Sequence, residues 1–197
     1  MNLTEALDGA PTRDDLVVVG GDRFSTSELE ATTSSVAAAL AERSVGRGDR
    51  VAFQLPVSVD AVVLYRACWR LGAVAAALHP RAGPAQLVAA FEVLNPVVQV
   101  AGPGSPAAEL PGVLDARSLR GSGEVPPVFV APSDDALVMF TSGSSGVPKG
   151  VVHTHGGLLY KVRQLLEVHS LGPEDVILMP APLAHVSGLL HGVLVPG

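Results

Sequence analysis

Ala136-Leu137-Val138-Met139-Phe140 runs without a break into Thr141-Ser142-Gly143-Ser144-Ser145-Gly146-Val147-Pro148-Lys149-Gly150. The first five residues are an apolar run of strand length, the pattern of a buried strand. The next ten carry four hydroxyl side chains, three glycines and one lysine. Glycines let successive backbone N–H groups turn toward one anion, and hydroxyls add neutral donors. A lysine about 4 Å from one phosphate charge contributes roughly 1 kcal/mol in water and about 4 kcal/mol at an effective dielectric of about 20. Of the 13 basic residues only Lys149 and Lys161 are lysines, so a lysine closing this loop stands out. A Walker-type loop is excluded by spacing: it needs G-x-x-x-x-G-K-[ST], but Pro148 stands five positions after Gly143 and Gly150 follows the lysine. On composition alone, a flexible Gly/Ser turn between two strands remains open.

Upstream of this stretch, strands and helices alternate. The apolar run Leu16-Val17-Val18-Val19 before Gly20-Gly21 reads as a strand and tight turn. Ser25 with Glu28 forms a capping box, and Phe24 with Leu29 a hydrophobic staple, so a helix starts there and ends before Gly46 and Gly48. A short strand over residues 51–55 is closed by Pro56. Ser58 then caps a helix to Leu71 that is apolar nearly all round apart from Asp60, Arg66 and Arg70, which marks it as buried. A strand over 73–78, a helix opened by Gly83-Pro84 and reaching Leu94, and a strand over 97–100 complete the series. This alternation predicts an α/β fold, a mostly parallel sheet with flanking helices and right-handed crossovers.

Residues 102–127 hold ten Gly or Pro, so a surface connection is expected there, with a short strand near Val113-Leu114-Asp115 and an exposed passage at Gly121-Ser122-Gly123. The chain thus divides into an α/β first half (1–101), this connection, and a segment (128–197) with the glycine-rich loop. Hydrophobic residues make up 48% of the 197 and charged ones 16%, against a disordered chain. The net charge of −6 disfavours a nucleic-acid or anionic-membrane partner, which calls for a basic surface. The single cysteine, Cys68, reads as a small buried hydrophobe. The acidic N-terminal residues lack the features of a signal peptide, so a cytoplasmic protein is expected. Residues 176–197 have no charged side chain, but Pro180, Pro182, His185 and His191 break the run. A buried strand–loop–helix is expected there, not a membrane span.

Residues 141–150 resemble the phosphate-binding signature of the adenylate-forming (AMP-binding) superfamily, T-S-G-[ST]-T-G-x-P-K-G, with Ser145 in place of the commoner threonine. The resemblance extends over most of the chain. Phe24 to Leu29 is similar to an early helix of the family without its tyrosine. Gly48-Asp49-Arg50-Val51-Ala52 and Trp69-Arg70-Leu71-Gly72-Ala73-Val74, closing at His79-Pro80, are similar to later segments. Pro182-Leu183-Ala184-His185-Val186-Ser187-Gly188 resembles the P-L-x-H-x-x-G element, with Ala184 where an aromatic residue is frequent. The acyl-CoA synthetase type fits best.

The resemblance implies a two-step ligase. A carboxylate attacks the α-phosphate of ATP, pyrophosphate leaves, and a thiol such as that of coenzyme A takes the acyl group. By the family's motif, Thr141, Ser142, Gly143, Ser144, Ser145, Gly146, Lys149 and Gly150 would hold phosphates, with Lys149 acting in catalysis and His185 lining the carboxylate and adenylate site. ATP, Mg2+ and coenzyme A are the implied cofactors. Family members are much longer, and their later parts supply the magnesium-holding glutamate, the ribose-binding aspartate and a further lysine. The chain therefore reads as the first part of such an enzyme without its C-terminal domain, inactive alone, and able to form a homodimer through apolar surface left exposed. The alternative is a non-catalytic α/β lobe that binds a polyphosphate or a partner.

Among other candidates, His153 and His155 would share a face on a strand, but no further ligands of zinc-like spacing follow. A helix starting at Thr154 or His155 explains them better, so no metal site is assigned. His191 reads as packing. The adjacent Asp134 and Asp135 point to opposite faces of a strand and read as solvated.

Overall fold

The computed structural model describes residues 1–125, 127–141 and 148–196. Its elements are α1 (Leu3–Asp8), β1 (Val17–Val19), β2 (Asp22–Phe24), α2 (Thr26–Ala41), β3 (Arg50–Gln54), α3 (Val59–Arg70), β4 (Val74–Ala77), α4 (Pro84–Leu94), β5 (Val98–Ala101), β6 (Leu114–Asp115), β7 (Asp135–Thr141), β8 (Lys149–Thr154), α5 (His155–His169) and α6 (Val186–Leu189). Six strands form one sheet in the order β6-β5-β3-β4-β7-β8, parallel except for the antiparallel edge pair β7–β8. The chain steps from β3 to β4 through α3, then reverses past β3 to β5 through α4. Right-handed crossovers in opposite directions place their helices on opposite faces. Side-chain alternation agrees: Val51, Phe53, Ala75, Leu137 and Met139 join the large core with α2, α3 and α5, while Ala52, Val74, Ala76 and Val138 meet the end of α4.

Local chemistry explains the helix ends. The Ser25 side chain accepts from the Glu28 N–H at 3.2 Å and the Glu28 carboxylate accepts from the Ser25 N–H at 2.9 Å, closing the capping box. Ser58 caps α3. As its composition requires, α3 is buried from Ala61 to Trp69. Three aromatic rings form its inner seam. Phe53 and Tyr65 meet edge-on at 4.9 Å, and Tyr65 and Trp69 lie 5.5 Å apart. The Trp69 indole N–H donates to the Ala136 carbonyl at 2.9 Å, fixing α3 to the start of β7.

Several expectations are corrected. The strand and tight turn expected at residues 16–21 are present, and β1 with β2 forms a hairpin separate from the main sheet, turning on positive φ at Gly20 (61°) and Gly21 (99°). Gly121 is not freely exposed, because its N–H donates to the Ser35 carbonyl and its carbonyl accepts from the Ser35 hydroxyl, each at 3.0 Å. Asp134 is not simply solvated; it accepts a two-pronged bond from Arg47 at 2.8 Å and the Ala131 N–H at 2.9 Å. The strand expected early in residues 176–197 pairs with no described strand. Val176 is 94% and Leu178 88% exposed, while Leu189, Leu190, Val193 and Leu194 farther on are buried.

Candidate functional site

Open parallel sheets bind ligands beyond the carboxyl ends of their strands, where the helices diverge. A cleft of about 640 Å³ lies there, between α4, the end of β7 and the segment before α6. Its lining includes His79 and Arg81 just past β4, Gln86 and Leu87 on α4, Phe140 and Thr141 at the end of β7, Pro148, and His185. Thr141, from the glycine-rich stretch, and His185, from the P-L-x-H-x-x-G element, thus reach one cleft from distant parts of the chain. Lys149 follows Pro148, is exposed, and pairs with Thr141 in the β7–β8 ladder. Ser142, Gly143, Ser144, Ser145 and Gly146 lie outside the described residues. Gly150 is paired opposite Phe140.

The local sequence explains how His185 is presented. Leu183 is buried, and its carbonyl accepts the Tyr65 hydroxyl at 2.8 Å. The His185 N–H donates to the Pro182 carbonyl at 3.0 Å, closing a turn ahead of α6. A Cβ on Gly188 would overlap that same carbonyl, so only glycine fits. Leucine as anchor, histidine at the exposed apex and glycine at the return form one small device. Burial raises the Tyr65 phenol far above its ordinary pKa, so it remains a donor to Leu183.

His79, at the end of the Trp69-to-Pro80 segment, is a cleft residue to which the sequence assigns no role. Its ring stands 5.1 Å from that of His185 at an interplanar angle of 61°. Its Nδ1 accepts from the Arg81 N–H at 3.1 Å, so Nε2 carries the proton of the neutral ring. Burial, then the charges of His185 and Arg81, hold His79 below its usual value. The signal was its position immediately after a parallel strand, but the partner lies far off in sequence.

The pair His153 and His155 does not converge on a ligand. His153 is on β8, whereas His155 is fully buried at the start of α5, its Nδ1 accepting from the Leu3 N–H at 3.4 Å. Among the described residues no three His, Cys, Asp or Glu side chains gather where a metal ion could bind. His191 is partly buried, with Nδ1 3.0 Å from the Ser187 carbonyl. No described helix is long and apolar enough to cross a membrane.

Comparison with known proteins places this geometry. A medium-chain fatty-acid–CoA ligase of Escherichia coli is 30% identical over 204 residues, covering 89% of this chain and 36% of the relative. A long-chain-fatty-acid–CoA ligase of Mycobacterium tuberculosis is 30% identical over 184 residues, covering 85% of this chain and 37% of the relative. The chain thus spans little more than a third of the length of these curated relatives. Among solved structures, an o-succinylbenzoate–coenzyme A synthetase of Bacillus subtilis in complex with AMP superposes with a TM-score of 0.85 at 24% identity, over 98% of this chain and 52% of that one. MatB of Rhodopseudomonas palustris gives a TM-score of 0.82 at 26% identity, over 99% of this chain and 43% of that one. The family model for the AMP-binding enzyme matches residues 3–196, and the chain belongs to that family.

Proposed function

We propose that this chain supplies the first part of an AMP-forming acyl-CoA ligase, which activates a carboxylic acid of the fatty or related class and passes it to coenzyme A. The observation that carries this reading is the meeting of Thr141 and His185 in one cleft beyond the parallel strands. In the first step a carboxylate oxygen bonds to the α-phosphorus of ATP while the bond to the β-phosphate oxygen breaks, and pyrophosphate leaves with the electron pair. Negative charge grows on the departing phosphates, where preorganised donors help most. Residues 141–146 would supply those donors, with Lys149 as the point charge and Gly150 letting the backbone pass close. His185 would line the acyl-adenylate site. In the second step the thiol sulfur bonds to the acyl carbon, the bond from that carbon to the phosphate oxygen breaks, AMP leaves with the electron pair, and the thiol proton passes to solvent. Mg2+ would shield the phosphates, but the described residues do not hold it and no step is assigned to it.

The division into residues 1–101, 102–127 and 128–197 belongs to this proposal, as does inactivity of the chain alone. The test is carboxylate-dependent ATP–pyrophosphate exchange in a protein that continues this chain with the remaining two thirds found in its relatives. Losing one charge at 4 Å costs about 1 to 4 kcal/mol, so Lys149→Ala slows exchange roughly 5- to 1000-fold. An unchanged rate refutes the role of Lys149. The 197-residue chain alone supports no exchange, and measurable exchange by it refutes that part.

A further inference from the structure

Gln54 ends β3 as a fully buried polar side chain, packed against the turn whose His79, Arg81 and Ala82 line the cleft. Its carboxamide nitrogen lies 3.0 Å from the His79 carbonyl and 3.0 Å from the Ala82 carbonyl, with the Pro80 carbonyl at 3.4 Å. Its oxygen accepts from the Ala107 N–H at 2.8 Å. Only a donor can face carbonyl oxygens, so the amide orientation is determined by its partners. One side chain therefore holds both ends of the 79–82 turn and ties that turn to the short 3-10 turn Pro106–Glu109.

We propose that Gln54 is a positioning residue of the cleft, setting the placement of the His79 ring opposite His185. It reaches no ligand itself. The turn carrying His79 and Arg81 belongs to no helix or strand ladder and is closed by one backbone bond, from the Ala82 N–H to the His79 carbonyl at 2.9 Å, to which the Gln54 carboxamide adds bonds to its first and last carbonyls. Its consequence for acyl activation rests on the ligase reading above, but the placement of the ring does not.

The test follows the His79 ring by NMR in the 197-residue chain labelled with 13C-histidine. The charged groups that act on it are His185 across the cleft and Arg81 on the same turn. In the unsubstituted protein His79 titrates below its ordinary value of 6.5. Gln54→Met keeps the volume and removes the hydrogen bonds. The His79 midpoint then returns at least halfway to 6.5, and the amides of Arg81 and Ala82, bonded to His79 Nδ1 and to the His79 carbonyl, exchange at least about tenfold faster. The His155 midpoint and Trp69 fluorescence, which report on the rest of the fold, stay in place. A folded Gln54→Met protein with an unchanged His79 midpoint overturns the proposal. If that variant does not fold, Gln54→Asn decides: it stays an uncharged amide but is one methylene too short to bond both carbonyls, and a partial return of the midpoint is expected. A midpoint equal to that of the unsubstituted protein overturns the proposal. Because the ring is read directly, failure of the ligase reading would leave this result intact.

Discussion

Acidification from pH 7 to pH 5 should destabilise this protein through His155. The ring is fully buried, its Nδ1 accepts the Leu3 N–H, and its Nε2 has no hydrogen-bond partner among the described residues. A second ring proton would point a donor at the Leu3 N–H and place a charge where no water reaches it. Burial dominates, lowering the pKa from 6.5 to about 4, and the nearby Asp134 only partly opposes it. The folded value lies below the unfolded one, so on acidification the unfolded chain takes up the proton first. Stability is therefore unaffected above about pH 7, falls between 6.5 and 4, and levels off below. At about 1.4 kcal/mol per pH unit the full loss is about 3 kcal/mol, of which about 2 kcal/mol has accrued by pH 5. Urea unfolding followed through Trp69, the single tryptophan and fully buried, measures it. With a slope of about 2 kcal/mol per molar urea, the midpoint should fall by roughly 1 M between pH 7 and pH 5. His79 adds a loss of the same sign, so the control is His155→Gln, in which the fall should shrink by most of its size. Equal falls in both proteins would refute the burial argument.

Other outcomes follow from the same packing. Tyr65→Phe leaves the buried Leu183 carbonyl without its donor and should cost about 1 to 3 kcal/mol in urea unfolding, with His185 signals shifted. Gly188→Ala forces a Cβ against the Pro182 carbonyl and should displace the His185 turn, seen as loss of the His79–His185 nuclear Overhauser contacts, at a cost on the order of 1 to 3 kcal/mol. The apolar surface left open at Val176 and Leu178 should bring two copies together at high concentration. Sedimentation should show a dimer that Val176→Ser with Leu178→Ser weakens, and a monomer at every concentration contradicts it.

The parts of the fold legible in the sequence are those written locally. Ser25 with Glu28, Ser58, and Pro84 after Gly83 mark helix starts whose chemistry lies within four residues. The apolar runs over residues 51–55, 73–78 and 136–140 mark strands, which the structure ends at Gln54, Ala77 and Thr141. What stayed hidden depends on partners far along the chain. Three-residue β1 closes on β2 through a turn that satisfies both strands locally, so nothing draws it into the main sheet. Gln54 looks like an ordinary polar residue before Pro56 until the carbonyls of His79 and Ala82 surround its amide. His79 and His185 each carry half of a contact that only the crossing of β4 and the Tyr65–Leu183 bond brings together. Asp134 gained its role from Arg47, on a loop that the adjacent pair of carboxylates gives no reason to suspect.

The central proposal is that Thr141 and Lys149, paired between β7 and β8, and the His185 turn serve one ATP-binding cleft. Titration of the 15N-labelled 197-residue chain with ATP tests it most directly. The account predicts that amide signals of Thr141, Gly150 and His185 move together in one saturable step, and that Lys149→Ala weakens that step about fivefold or more. Shifts confined to other surfaces, or the same affinity in the Lys149→Ala protein, would contradict it.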